Sequence, residues 1–311
     1  MTEYPRPVSP YVPLPGQHGE EASSVRQAAR TMFDDVAETY DRVRPGYPEA
    51  LFADLRSAGL APGTTVLEIG CGTGQATGRL AAVAAEVWCV ELGPTLAHRA
   101  RQRLAELGHV HVLVGSFEEI ELPVDQFDLV FSATAFHWVD PSVGFHRAAS
   151  VLKLGGTLAL ATNAHVAGGS QAEILDDVAA LQEAIYPEIG PWTFPSPSDT
   201  VTAALAGGDI AHVWGRIERS FEEPPDVQDL FELPRVRTYE WTATYTSVSF
   251  VDLLATQSPY IRLDAERRSR LFDGVARLIE RRLNGTVSKS YLAILAVARR
   301  ADAGHEARSR A

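Results

Sequence analysis

Val66-Leu67-Glu68-Ile69-Gly70-Cys71-Gly72-Thr73-Gly74-Gln75-Ala76-Thr77 is the stretch that decides the fold. A short apolar run carries an acidic residue, breaks into three alternate glycines, and leads into a segment able to start a helix. Glycine lets the backbone turn sharply and come within contact of a ligand, because no Cβ stands in the way. A helix beginning near Gln75 aims its unpaired N–H groups and positive dipole end into the same crevice.

Spacing narrows the ligand. In the pyrophosphate-binding fingerprint the third glycine falls three residues after the second, and here Gln75 holds that position. Glu68, two residues before the first glycine, would repel a dinucleotide's phosphates and tolerate a cation. A second acid, Glu91, ends the next apolar run 21 positions after Gly70. Acidic residues about 20 positions on meet ribose hydroxyls in Rossmann-type folds. Two roles are open to Glu91: fixing a ribose, or a solvent-facing strand end.

Outward from this loop the chain alternates strand and helix. The predicted strands are Thr65–Ile69, Val87–Glu91, Val110–Val114, Asp128–Ser132 and Thr157–Thr162, short apolar runs of the kind buried on both faces. Helical segments at Gln75–Ala84, Pro94–Leu107 and Pro141–Leu152 lie between them. Such alternation predicts an α/β fold with a Rossmann-like, doubly wound, mostly parallel sheet. Six regions follow. Residues 1–24 form a proline-rich tail, 25–60 a helical N-terminal cover, 61–163 the ligand-binding core, and 164–235 an inserted, mainly helical cap. Residues 236–300 carry the last strands and helices, and 301–311 a polar tail.

Composition excludes several function classes. With 311 residues and 45% hydrophobic content the chain can bury a full core. Asp and Glu number 40 against 28 Lys and Arg, a net charge of -12, so nucleic acid and anionic membranes are poor partners. Two cysteines, Cys71 and Cys89, make neither a disulfide framework nor a cysteine zinc site, and no histidine cluster has metal-ligand spacing. No metal is expected. Without an apolar run of about 20 residues or an export signal, a cytoplasmic protein is expected, as monomer or homodimer.

The E-x-G-x-G-x-G pattern resembles motif I of class I S-adenosylmethionine-dependent methyltransferases, and further blocks extend the resemblance. Ala133 to Trp138 is similar to the Ala-x-His-Trp segment of the ubiquinone-type and trans-aconitate-type small-molecule subgroup. Lys153-Leu154-Gly155-Gly156 resembles the turn before the family's fifth strand, with Leu154 in place of proline. Phe33 to Pro48 is similar to the subgroup's N-terminal cofactor cover.

This resemblance implies a seven-stranded sheet with an antiparallel last strand and S-adenosylmethionine as methyl donor, left as S-adenosylhomocysteine. It further implies transfer of a methyl group to a small organic acceptor by in-line displacement. The cofactor residues it implies are Tyr40, Arg44, Glu68, Gly70, Cys71, Gly72, Thr73, Gly74, Gln75, Glu91, Leu92, Ser116, Phe117 and Ala133. Tyr40 and Arg44 would meet the methionine end. Ser116 replaces the acidic residue that usually accepts the adenine amino group, leaving Ser116, the Phe117 backbone or Glu118 as acceptors. Phe117 stacks on adenine or joins the core.

Catalysis and substrate choice rest on fewer residues. His137 either acts as general base or orients the loop beside Trp138. Trp138, Trp192, Phe194, Trp214, Tyr239 and Trp241 either line an acceptor pocket or form a small core of their own. The Arg-rich stretch from Arg267 to Arg282 reads as the solvated face of a helix whose apolar stripe is buried. Two other classes share the loop. An NAD(P)-dependent oxidoreductase would need the glycine that Gln75 displaces, and a non-catalytic S-adenosylmethionine-binding protein would need none of the acceptor machinery.

Overall fold

A computed structural model describes residues 37–187, 195–217, 226–261 and 263–302. Helices α1 (Ala37–Val43) and α2 (Glu49–Ala58) precede β1 (Thr65–Ile69), α3 (Thr77–Ala81), β2 (Glu86–Glu91), α4 (Pro94–Arg103), β3 (Val110–Val114) and β4 (Phe127–Ala133). A 3-10 turn at Phe136–Trp138 leads to α5 (Pro141–Val151) and β5 (Leu152–His165). Beyond a second 3-10 turn at Ser170–Ile174 lie α6 (Leu175–Ile185), α7 (Ser198–Ala204), α8 (Ile210–Ile217) and α9 (Val227–Leu230). The chain closes with β6 (Arg235–Thr246), α10 (Ser247–Ala255), α11 (Ser258–Ile261), α12 (Ala265–Leu283) and β7 (Thr286–Arg299).

Local chemistry sets several of these boundaries. Asp140 caps α5 by accepting the Ser142 N–H at 3.0 Å, with Pro141 at the first position, where its missing donor costs nothing. Thr246 and Ser249 form a capping box at α10. Asp264 caps α12, which ends on Asn284 in the left-handed region at φ 53°.

Seven strands form one sheet in the order β3-β2-β1-β4-β5-β7-β6. Strands β1 to β5 pair in parallel, and β7 runs antiparallel to both β5 and β6. Strand order reverses between β1 and β4, so the ligand crevice of such sheets opens there, outside the carboxyl ends. Alternate residues of each strand feed opposite faces. Val66, Leu129 and Ala159 pack under α2, α3 and α4 with Leu51, Leu55, Leu80 and Ala100. Leu67, Val130 and Leu158 pack against Phe136 and Phe145 on the other face.

Two strands outrun their sequence reading. Strand β5 continues past Thr162 to His165 because it pairs with β7 as far as His165↔Tyr291, and β7 begins at Thr286, not Tyr291, because it pairs with β6 from Thr246↔Thr286 onward. Polar residues at their ends hide these extensions from an apolar-run criterion, while ladder hydrogen bonds to a neighbour hold them.

Region 164–235 divides between two places. Ile210, Ala211, Trp214, Val227 and Phe231 join the core beside Phe145, and Val201, Leu205 and Val213 cover Ile294 and Ala296 of β7. Helix α6 instead packs with α10 and α12 over the β5–β7 end, where Val178, Phe250, Leu253, Val275, Ile279 and Tyr291 form a separate cluster. The cover beside the crevice therefore draws chiefly on α1 and residues 247–283.

Candidate functional site

The loop after β1 is held in the conformation its glycines permit. Gly70, Gly72 and Gly74 have φ of 69°, 57° and 83°, a region L side chains rarely adopt. Space demands two of them as well. A Cβ on Gly70 would lie 2.3 Å from the Ala135 Cβ, and one on Gly74 would lie 2.9 Å from Leu104 Cδ1. The Gly70 N–H donates to the Val90 carbonyl at 2.8 Å, tying the loop to β2.

Two carboxylates flank this loop in different states. Glu68 is 1% exposed and accepts the Thr77 hydroxyl at 2.6 Å. Burial pushes its pKa up to about 7, opposed by the Thr77 hydrogen bond and reinforced by the nearby Glu91 charge. Glu91, at the end of β2, accepts the Gly72 N–H at 2.8 Å and the Gly93 N–H at 2.9 Å. Each oxygen takes one amide N–H. The Cys71 thiol, hydrogen bonded to Cys89 and buried, is held well above the usual thiol pKa. That suits a small filler better than a nucleophile.

A latch from α1, which sequence reasoning missed, closes over the loop. Asp41 accepts the Thr73 hydroxyl at 2.6 Å and the Arg103 guanidinium at 2.6 Å, while its carbonyl accepts the Gln75 amide at 3.3 Å. No local pattern marks Asp41, because its partners lie 32 or more residues away in sequence. Arg44 donates from Nε to the Thr256 hydroxyl at 3.0 Å and from its terminal nitrogen to the Thr256 carbonyl at 2.6 Å. Tyr47 shares a hydrogen bond with Thr134, a non-glycine residue at φ 53° on the turn after β4. Tyr40 lies on α1, and its side chain falls outside the described residues.

A cavity joins these parts. Arg44, Pro45, Tyr47, Glu68, Gly70 to Thr73, Gln75 and Ala76 line one side, Ala133 and Thr134 the middle, and Asn163, His165, Leu253, Gln257 and Tyr291 the other. The walls follow sheet order from β1 across β4 to β5 and β7. Asn163 and His165 share a face of β5 because side chains repeat every second residue.

Several expected residues sit elsewhere. Trp214 is fully buried in the core beside Phe136 and Phe145, so its ring packs and does not wall a pocket. Phe117 is 3% exposed, packed in that same core with the Arg147 guanidinium 5.7 Å over its ring, so it is not presented to an adenine. His137 and Trp138 lie on the 3-10 turn with ring centroids 4.9 Å apart, and neither lines the cavity. Tyr239 donates its hydroxyl to Asp54 at 2.5 Å and does not line the cavity. Trp241 stacks on Tyr291 at 5.0 Å and donates to the Asn163 side chain at 3.0 Å, holding two wall residues in place without lining the cavity itself. Trp192 and Phe194 lie outside the described residues.

Ser116 and Glu118 form one network at the end of β3. The Ser116 hydroxyl donates to Glu118 Oε2 at 2.5 Å, and Glu118 Oε1 accepts the Asp140 N–H at 3.0 Å. Leu92 is half-buried beside Glu91. Among the described residues, no group of His, Cys, Asp and Glu could hold a metal ion, and no helix is long and apolar enough to cross a membrane.

A mostly parallel sheet with this strand order and an antiparallel β7, a glycine loop and an acid at each of its first two strands is the architecture of class I methyltransferases. Comparison with known proteins agrees. The methyltransferase-domain family matches residues 67–160. An uncharacterized methyltransferase of Mycobacterium bovis is 30% identical over 247 residues, 79% of this chain and 85% of that protein. A malonyl-[acyl-carrier protein] O-methyltransferase of Anoxybacillus flavithermus is 34% identical over 116 residues, covering 37% of this chain and 44% of that one. The solved structure of a putative type II methyltransferase from Anaeromyxobacter dehalogenans superposes with a TM-score of 0.54 over 82% of this chain and 97% of that chain, at 21% identity. The chain belongs to the class I S-adenosylmethionine-dependent methyltransferase family.

Proposed function

We propose that the chain transfers a methyl group from S-adenosylmethionine to a small organic molecule. The observation that carries this reading is a cavity continuous from the glycine loop to the polar wall formed by β5, β7 and α10. One cleft thus has a donor end and a separate acceptor end. The net charge of -12 disfavours a polyanionic acceptor.

The residues present fit the cofactor. Gly70, where a side chain would collide with Ala135, gives the close backbone approach that a nucleoside needs. Glu91 at the end of β2 is the carboxylate for the ribose hydroxyls, and the Ser116–Glu118 pair at the end of β3 lies on the side for the adenine. Glu68, poised near neutrality, suits the cationic methionine end. When bound, S-adenosylmethionine supplies an electrophilic methyl on a sulfonium. The chain's own work is to hold the acceptor in line with it, at a near-attack distance of about 3–3.5 Å, and to keep water out. Arg44, Tyr47 and Asp41 cover the loop side, and Leu253 and Gln257 the acceptor side.

The test is calorimetry with S-adenosylmethionine and S-adenosylhomocysteine, followed by incubation with methyl-labelled S-adenosylmethionine and a small-molecule extract. Binding followed by label in a low-mass product supports the reading. Absence of binding overturns it, and binding without any labelled product assigns the chain to non-catalytic cofactor binding. Label recovered only on protein or nucleic acid removes the small-molecule assignment. A monomer or homodimer in the cytoplasm remains part of the proposal.

A further inference from the structure

Trp241 acts on the cavity from a strand that does not border it. Strand β6 is last in the sheet order, and β7 separates it from β5. On one face of these three strands Trp241 lies in a row with Tyr291 and His165, and Tyr239 in a row with Ala293 and Asn163. Two strand spacings, about 10 Å, divide β6 from β5. Ala293, fully buried between them, leaves room above its methyl for the indole to lean diagonally across β7. The indole Nε1 donates to the Asn163 side chain at 3.0 Å while its ring stacks on Tyr291 at 5.0 Å and 22°.

Asn163 is thereby set in one orientation. Its Oδ1 accepts the indole N–H, and its Nδ2 donates to the Gly46 carbonyl at 3.0 Å. An indole nitrogen only donates and a carbonyl oxygen only accepts. Turning the amide over would set donor against donor on one side and acceptor against acceptor on the other. Resting on the reading of the cleft as an S-adenosylmethionine site, we infer that Trp241 is a positioning residue: through Asn163 it fastens the α1–α2 connection over the cavity and so sets how fast the cofactor leaves.

The connection is tied to three walls. Arg44 donates to the Thr256 hydroxyl and carbonyl at the end of α10, Gly46 accepts from Asn163 on β5, and Tyr47 bonds Thr134 after β4. Arg44 and Tyr47 attach through side chains, which can rotate while the backbone moves. Gly46 attaches through its own carbonyl, so Asn163 fixes the path of the chain itself. Arg44, Pro45 and Tyr47 line the same cavity as Glu68 and the glycine loop, and Asp41 continues the cover through Thr73 and Gln75. A cofactor seated on the loop therefore leaves past this segment. Within residues 41–47 Val43 is the buried hydrophobic side chain. The hold is mainly polar, so the loss of one hydrogen bond is felt in the rate of opening.

The experiment follows release of tritiated S-adenosylhomocysteine from the full chain into excess unlabelled ligand, by rapid filtration. Trp241→Phe keeps a ring on Tyr291 and removes the N–H. Asn163→Ala removes both hydrogen bonds, and Asn163→Asp keeps an acceptor for the indole but sets an oxygen against the Gly46 carbonyl. Trp241→Phe is expected to release ligand about fivefold faster, the scale of one neutral hydrogen bond, and the two Asn163 variants at least as fast. In the double variant Trp241→Phe adds nothing to Asn163→Ala, because the indole acts only through the amide. Deuterium uptake at residues 44–47 rises in each variant. The Trp241 indole N–H signal, identified by its absence from Trp241→Phe, shifts in the NMR spectrum of Asn163→Ala. A wild-type release rate in Trp241→Phe or Asn163→Asp overturns the inference. So do effects that multiply in the double variant, since the indole would then act by packing. Wild type that fails to bind S-adenosylhomocysteine overturns the cofactor reading, and the inference with it.

Discussion

Glutamine at position 68 tests the electrostatics of the donor end. In the unliganded protein Glu68 is buried, with a pKa of about 7 set mainly by desolvation, so it is mostly protonated at pH 6 and mostly ionised at pH 8. A positive ligand end ~5 Å away, at an effective dielectric of ~20, interacts with the carboxylate by about 3 kcal/mol. That lowers its pKa by about two units. Binding then releases a proton, and linkage makes affinity for S-adenosylmethionine rise about tenfold between pH 6 and pH 8. Glu68→Gln keeps an acceptor for Thr77 and removes the titration, so its profile is flat and its affinity lower at the alkaline end. Calorimetry in buffers of different ionisation enthalpy reads affinity and proton release together.

Stability moves in the opposite sense. The folded pKa lies above the ordinary 4.5, so the folded carboxyl binds more protons than the unfolded one. Stability is full below about pH 4.5 and falls as pH rises through about 7, by about 3 kcal/mol in total. The unliganded Glu68→Gln protein is therefore more heat-stable than wild type at pH 8 and no more so at pH 4. Equal pH slopes of binding in the two proteins, or equal melting temperatures at pH 8, would refute the reasoning.

Three further substitutions probe other parts of the cleft. Glu91→Ala removes the acceptor of the Gly72 and Gly93 N–H groups and the proposed ribose partner, and weakens S-adenosylhomocysteine binding by about 1.5–3 kcal/mol; unchanged calorimetric affinity sinks the ribose assignment. Gly70→Ala sets a methyl 2.3 Å from Ala135 at φ 69°, so cofactor binding is lost while circular dichroism stays native; retained affinity would show that the loop has room to shift. Trp214→Ala removes a fully buried ring and lowers stability by about 3–5 kcal/mol in denaturant titration. Normal stability with impaired acceptor binding would restore Trp214 to the pocket.

The loop was legible in sequence because its requirements are local. Gly70, Gly72 and Gly74 mark a turn that other residues resist, and Glu91 follows at a spacing that one strand–helix–strand unit fixes. Strands β1 to β4 were legible for the same reason, since burial on both faces leaves short apolar runs. The ends of β5 and β7 were not, because His165 and Lys289 are polar and owe their strand conformation to pairing across the sheet. His165 was passed over for that reason, and His137 drew attention because it sits in a recognisable segment.

What the sequence by itself determined is the loop side of the cleft: the strand, the glycine turn, the helix start and the two acids. Contacts within a few residues, or within one crossover, encode all of these. Only the tertiary structure decided the opposite wall of the cavity. Asn163, His165, Leu253, Gln257 and Tyr291 come from three distant segments and meet because β7 inserts antiparallel between β5 and β6 and carries the helical cover with it. It also sent Trp214 and Phe117 inward, since an aromatic side chain reads the same in sequence whether it faces a ligand or the core.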